Sequence, residues 1–276
     1  MTSYFLLLTS YFFIFIFGLC IGSFLNCLIW RLRKGEGMLN RSYCPKCKKQ
    51  IAWHDNIPVL SFILLGGKCR HCKKPISIQY PLVELIAGIL FVIAFFMNYE
   101  LGIMNYGFNN FYILPLIHDS LFIIHLLRDF FIISVMIIIF IYDLRWYLIL
   151  DKVVLPSCLI VFILNLILGI TWQNMLISGI IGSSFFLFQF AVSKGKWIGG
   201  GDIGLGLLMG FALGWPNVLA AIFLAYLIGS IVGVGLILAG RKQWGSKIPL
   251  GIFLSSASVI VLFWGEQIIN WYFNLF

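Results

Sequence analysis

Apolar positions in this chain gather into long, nearly unbroken runs, and the polar and charged positions lie between them. A hydrocarbon layer about 30 Å thick needs about 20 apolar residues in a helix. Eight runs qualify as spans: about residues 8–30, 79–98, 119–142, 153–171, 174–193, 203–215, 217–239 and 250–273. The sixth is short and the fifth is closely flanked. The sixth and seventh meet at Gly214-Trp215-Pro216-Asn217, the composition of a tight turn. The expected fold is all-α and polytopic, with about eight transmembrane helices and a loop domain after the first.

Composition supports this and removes the main alternative. Hydrophobic types make up 61% of the 276 residues and charged types only 11%. A soluble domain carries roughly a quarter charged residues. The net charge of +9 would ordinarily suggest nucleic acid as a partner. Here the charge lies almost wholly between the apolar runs, so a lipid bilayer is the expected partner and nucleic acid is not. No basic residue precedes the first run and no small-residue cleavage site follows it. Arg31, Arg33 and Lys34 come after it, the pattern of a retained anchor with its N-terminus outside.

Sidedness follows from the positive residues, which collect on the cytoplasmic face. With an outside N-terminus and eight spans, the inner segments are about 31–78, 143–152, 194–202 and 240–249. They hold 18 of the 19 Lys and Arg residues, and only Arg128 lies elsewhere. Seven or nine spans would scatter these charges over both faces. The stretch 99–128 contains Asn109, Asn110, Pro115, His118 and Asp119 among apolar residues. It is expected to be an interfacial helix or loop outside the membrane.

Of the seven cysteines, Cys20, Cys27 and Cys158 sit in apolar runs, where a small buried thiol is the usual reading. The other four form Cys44-Pro45-Lys46-Cys47 and Cys69-Arg70-His71-Cys72. Two such pairs suit a tetrahedral zinc site of four thiolates, which leaves no open position for water and is therefore structural. The alternative is two disulfides, which a reducing cytoplasm disfavours. The surrounding Lys and Arg residues offset the negative metal centre and face anionic lipid.

Only ten acidic residues occur, and a carboxylate at the centre of a membrane helix costs about 2.5–3.5 kcal/mol. Asp143 ends the third span and Asp202 opens the sixth, after Gly199-Gly200-Gly201. Both fall at the inner face, so two carboxylates from different helices can converge at one depth. Close carboxylates share a proton. The ionised one can activate a water and the protonated one can polarise a peptide carbonyl. Each also has a plainer explanation: Asp143 as a solvated boundary charge or an Arg145 partner, Asp202 as a carboxylate favoured by a helix N-terminus. Asp151, before the fourth span, is expected to support the site or to cap a helix.

These motifs, in order, resemble the type IV prepilin peptidases, which are GxGD-type intramembrane aspartyl proteases. The resemblance rests on Gly22-Ser23-Phe24-Leu25-Asn26, the two cysteine pairs, and Asp55-Asn56-Ile57-Pro58-Val59-Leu60-Ser61 between them. Ile76 to Glu84, the Asp143 and Asp151 pair eight apart, and Gly199 to Asp202 complete it. It covers about residues 18–250. Two positions depart: Leu150 stands where the family has Pro, and Gly204 where it has Lys.

The resemblance implies cleavage of prepilins or pseudopilins after a glycine that ends a short basic leader, at the cytoplasmic face of the bacterial inner membrane. Asp143 and Asp202 would be the catalytic pair. It also implies methylation of the new amino terminus from S-adenosylmethionine, a task of the N-terminal region. Residues 1–98, with the zinc loop 31–78, would form that region, and 119–276 a six-span peptidase region. No nucleotide-binding glycine fingerprint marks the donor site. Gly22, Asn26, Asp55, Asn56 and Glu84 are its candidates, each with a structural explanation in helix packing or turn chemistry. The competing functions are a peptidase without methylation, a carboxylate-relay transporter, and a non-catalytic scaffold built on the zinc loop. A signal-peptide-peptidase-like enzyme would lack the four-cysteine loop.

Overall fold

A computed structural model describes residues 2–37, 41–106, 120–243 and 248–275. The chain divides into two compact units, one ending at Leu126 and one starting at Leu127. Of the expected interfacial segment 99–128, residues 99–106 continue α3 and 120–128 belong to α4, so these parts are helix continuous with the spans, while 107–119 lie outside the described residues.

In the first unit, α1 spans Thr2–Lys34, a single helical turn α2 spans Leu60–Leu64, and α3 spans Gln79–Tyr106. A 3₁₀ turn covers Trp53–Asn56. Helices α1 and α3 pack at backbone contact, because Gly22 lies against Glu84: a Cβ on Gly22 would stand 2.6 Å from the Glu84 Cα. In a membrane, where lipid is as apolar as Leu, such close approach and interhelical hydrogen bonds hold helices together. Asn26 supplies one, its Nδ2 donating to the Tyr80 carbonyl at 3.1 Å, while Gln79 Nε2 donates to Asn26 Oδ1 at 3.3 Å.

The second unit holds α4 Ser120–Trp146, whose first residues precede the boundary, α5 Asp151–Ile167, α6 Trp172–Ser193, α7 Gly200–Leu213, α8 Asn217–Leu238 and α9 Leu250–Phe273. Helix α7 is the centre of its core. Leu205, Leu208 and Met209 are buried in one apolar cluster with Met136 and Ile139 of α4, Val154 and Val161 of α5, Ala221 of α8, and Ala257 of α9. On its other side α7 meets α6 through glycines: a Cβ on Gly206 would stand 2.5 Å from the Gly182 carbonyl oxygen and 2.7 Å from Phe186.

A buried polar network ties three helices at the opposite end from Asp143. Arg128 donates from Nε and Nη2 to Asp129 at 2.9 and 2.8 Å, and from Nη1 to Asn165 at 3.3 Å. Asn165 Nδ2 in turn donates to the Phe211 carbonyl at 2.7 Å, in the last turn of α7. The one basic residue outside the inner segments is thus a partly buried cation paired with Asp129.

Eight helices occupy the eight runs marked by the sequence. Six of them (α1, α3, α4, α6, α8 and α9) are long and apolar enough to cross a membrane. Helix α5 has 17 residues and α7 has 14, about 26 and 21 Å at 1.5 Å per residue. Boundaries also move: α1 and α3 outrun their expected ends, and α7 starts at Gly200, which puts Asp202 inside its first turn.

The α6–α7 contact admits no side chain. Gly206→Val should cost at least about 1–3 kcal/mol through overpacking, read as lowered thermal stability in detergent. An unchanged midpoint would contradict this packing.

Candidate functional site

The carboxylates of Asp143 and Asp202 each meet the start of a helix, where unpaired backbone N–H groups and the helix dipole favour a negative charge. Asp143 belongs to the last turn of α4 but reaches the first turn of α9. Its Oδ2 accepts from the Ile252 N–H at 3.2 Å and its carboxylate also accepts from the Gly251 N–H. Gly251 makes that reach available, since a Cβ there would stand 2.7 Å from Asp143 Oδ2. Asp202 caps its own helix, its Oδ2 accepting from the Gly199 N–H at 2.9 Å.

Both carboxylates are about 5% exposed, and they are near enough for their charges to repel. Ile149, in the short link between α4 and α5, packs against both helix starts. Its Cβ would stand 2.8 Å from a Cβ on Gly201, and its Cδ1 3.2 Å from one on Gly251. The glycines before Asp202 therefore serve helix entry and packing: Gly199 is the N-cap and Gly200 and Gly201 are in the first turn. The Tyr226 hydroxyl of α8 donates to Gln189 Oε1 of α6 at 2.8 Å.

Asp151 is not an N-cap. Helix α5 begins at Asp151 and Leu150 is its cap, with no side-chain capping bond. Asp151 stands toward α7, its Oδ1 4.0 Å from where a Cβ on Gly204 would be.

The second constellation lies in the loop of the first unit. The sulfurs of Cys44, Cys47, Cys69 and Cys72 all fall within 4.8 Å of one another, with Cys44 and Cys72 at 4.0 Å. Four sulfurs at the vertices of a tetrahedron with 2.3 Å metal bonds are about 3.8 Å apart, so the set fits a thiolate-loving cation with little movement.

Two similar knuckles build it. Lys48 N donates to the Cys44 carbonyl and Cys44 N to the Lys49 carbonyl, and the same pattern recurs as Lys73 to Cys69 and Cys69 to Lys74. Lys48 and Lys73 both take positive φ, 61° and 57°, an uncommon conformation for a residue with a side chain. Backbone N–H groups of Cys72 and His71 pull the Cys69 thiol down to about 6. Cys47 goes the other way: although the Lys49 N–H favours its thiolate, desolvation and the three neighbouring sulfurs push it up to about 11. A central dication is what would let all four ionise together.

The candidates for the methyl-donor site separate into two places. Gly22, Asn26 and Glu84 meet at the α1–α3 seam, where Glu84 Oε2 accepts from the Val59 N–H at 2.7 Å. Asp55 instead pairs with Arg70, which donates from Nε to Oδ2 at 2.8 Å and from Nη2 to Oδ1 at 2.6 Å. This bidentate contact holds the Asp55 carboxyl below the usual carboxylate range, and it fastens the 3₁₀ turn, with Asn56 in it, to the second knuckle.

Sequence reasoning missed Ile149, Gly251 and Ile252. For the α9 cap a signal existed: Pro249-Leu250-Gly251 places a proline at a helix start. No local signal in the sequence pairs that start with Asp143, 108 positions away.

Two kinds of comparison bear on this arrangement. Residues 16–98 match the Bacterial Peptidase A24 N-terminal domain, and residues 130–234 match the Type IV leader peptidase family. A prepilin leader peptidase/N-methyltransferase from Aeromonas hydrophila is 31% identical over 294 residues, covering 95% of this chain and 93% of that protein. The chain belongs to the type IV leader peptidase family. A Bacillus subtilis (strain 168) relative of the same description is 30% identical over 270 residues, with 95% and 97% covered. A third, from Pseudomonas aeruginosa, is 30% identical over 288 residues, with 92% and 90% covered. No solved structure matches the chain at a significant level.

The knuckles of this leader peptidase relative should take up cobalt(II) at about one equivalent per chain and give thiolate-to-metal absorption. Cys69→Ser should abolish that absorption. An unchanged spectrum in the variant would show the metal is elsewhere.

Proposed function

We propose that this chain removes the short basic leader from type IV prepilins or pseudopilins, cutting after a glycine, with Asp143 and Asp202 as the catalytic pair. The observation that carries this reading is the placement of both carboxylates at helix starts in one unit, buried and near enough for their charges to repel, with Ile149 packed against both helix starts.

Such a pair holds one proton between its members. The ionised carboxylate takes a proton from water as the water oxygen bonds to the scissile carbonyl carbon. The protonated carboxyl hydrogen-bonds the carbonyl oxygen. When the C–N bond breaks, the amine leaves with a proton from the pair, giving a leader carboxylate and a new amino terminus. Neither step needs a metal in this site's own chemistry, since water, acid and base are all supplied.

Three further parts complete the proposal. The four cysteines hold one structural zinc, since four thiolates leave the metal no open position. The region 1–98 transfers a methyl group from S-adenosylmethionine to the new amine, and 119–276 carries out cleavage. Finally, α5 and α7 cross with the six longer helices, which places the N-terminus outside and Asp143 and Asp202 at the cytoplasmic face of the inner membrane. Helix α7 packs in one core with α4, α5, α6, α8 and α9 and is largely buried by them, so it need not match the hydrocarbon thickness itself. The transporter reading is disfavoured, because the two acids accept backbone hydrogen bonds beside a loop at the helix ends and no repeated halves occur.

Asp143→Asn and Asp202→Asn should each lower leader removal from a prepilin by about 10²–10⁴-fold, while methylation of a pre-cleaved pilin continues. If either variant cleaves at the wild-type rate, the pair is misassigned. Gly251→Ala should push the Asp143 carboxylate out of place and lower kcat by about 10- to 100-fold with little change in KM. A raised KM with normal kcat would speak against a positioning role.

A further inference from the structure

The loop of the first unit carries an apolar stripe that neither the metal knuckles nor the α1–α3 seam uses. Leu60, Ile63 and Leu64 occupy positions i, i+3 and i+4 of α2, one face of a helical turn. They are 57, 64 and 82% exposed, and Trp53 of the preceding 3₁₀ turn is 82% exposed. Phe62 faces the other way, its Cζ 3.1 Å from where a Cβ on Gly67 would be. The loop therefore has an inner apolar residue of its own, and the outer stripe is left without a partner among the described residues.

The fold sets the depth of this stripe. The Val59 N–H donates to Glu84 at 2.7 Å, and Val59 takes φ 61°, a conformation a β-branched residue adopts only when its surroundings force it. Glu84 lies five residues inside the candidate span Gln79–Glu100, about 8 Å from its end. Gly22, beside Glu84, lies 12 residues before the end of α1, about 18 Å. The loop thus leaves the membrane along α1 and doubles back beside the first turns of α3, and α2 begins there.

Charge identifies what lies on the far side. Residues 41–78 carry eight Lys and Arg residues against one acid, Asp55. Lys46, Lys49, Lys68 and Lys74 are all exposed. A tryptophan and a turn of Leu and Ile, in a loop rich in exposed lysines, have the amphipathic composition of an interfacial element over anionic lipid. A basic leader peptide would be repelled by the same charges.

We propose that Trp53, Leu60, Ile63 and Leu64 are seated in the bilayer interface, with anionic phospholipid headgroups held by the lysines of the two knuckles. This places the metal-binding loop flat on the membrane. The inference rests on the span assignments and is independent of the catalytic pair.

The test uses the full chain in nanodiscs of equimolar phosphatidylglycerol and phosphatidylcholine. The photoreactive residue p-benzoylphenylalanine replaces Leu60 or Leu64, and the crosslinked peptides are read by mass spectrometry. Both positions should yield lipid adducts, with phosphatidylglycerol favoured at least threefold. Lys46→Gln, Lys68→Gln and Lys74→Gln together should bring that ratio to about one while metal content stays constant. Crosslinks to residues 127–276, to a prepilin, or to nothing would overturn the seating. Lipid adducts without a phosphatidylglycerol preference would overturn the headgroup assignment. Loss of leader removal in Asp143→Asn leaves both readouts unchanged.

Discussion

A carboxylate beside hydrocarbon needs hydrogen-bond donors, and side-chain donors are scarce in a chain with so few polar groups. In the second unit the donors come from the backbone, at the one place where a helix leaves its N–H groups free. Asp143 takes the first turn of α9 and Asp202 takes the first turn of its own helix. This constraint orders much else. It requires α9 to start where α4 ends, which brings residue 251 against residue 143. It requires a glycine at 251, because any Cβ would occupy the carboxylate's position. It also keeps α7 short, since its start must stay level with the end of α4 while its far end is pinned through Asn165 to Arg128.

The first unit solves a similar problem with different donors. Glu84 is buried in the α1–α3 seam and accepts the Val59 N–H. That bond uses a loop backbone instead of a helix start, and the cost appears as the positive φ of Val59. A carboxylate that fixes a loop is a structural device in its own right. It makes the knuckles part of the helix pair, since Asp55 and Arg70 then lock the turn near Val59 to the second knuckle. Gly22, Asn26 and Glu84 thus form one coherent seam, whereas Asp55 and Asn56 belong to the loop. A donor site drawing on all five would have to bridge from one to the other.

How much of this was legible in the sequence differs by feature, for physical reasons. Helix positions were legible because membrane helices announce themselves by length of apolar run, a local property. Helix α7 shows the limit: its 14 residues are too few for that rule, and only packing reveals it as the centre of a bundle. The cysteine spacing was legible because each knuckle is local and a four-sulfur metal site has one geometry. The aspartates were legible as expensive residues at apolar boundaries, and Asp202 does open its helix; of the two roles expected for Asp151, support of the site or a cap, the cap belongs to Leu150. The α9 cap was not legible, because hydrogen bonds between residues more than a hundred positions apart leave no periodicity behind. Ile149 was missed for the same reason, as an aliphatic residue in a short link looks like any other.

The departures at Leu150 and Gly204 fit this geometry. Leu150 caps α5 through its backbone: its carbonyl accepts from Val153 and Val154, a function that does not depend on the side chain. A Cβ on Gly204 would stand 3.4 Å from Val154 and 4.0 Å from Asp151, so a long side chain there would have to run outward past Asp151. Neither position supplies a hydrogen bond to Asp143 or Asp202. Both acids are held by amides of residues 199, 251 and 252, which substitutions at 150 and 204 leave in place. The site's framework is therefore carried by the backbone of two helix starts, and it is indifferent to the two side chains in which this chain differs from its family's pattern.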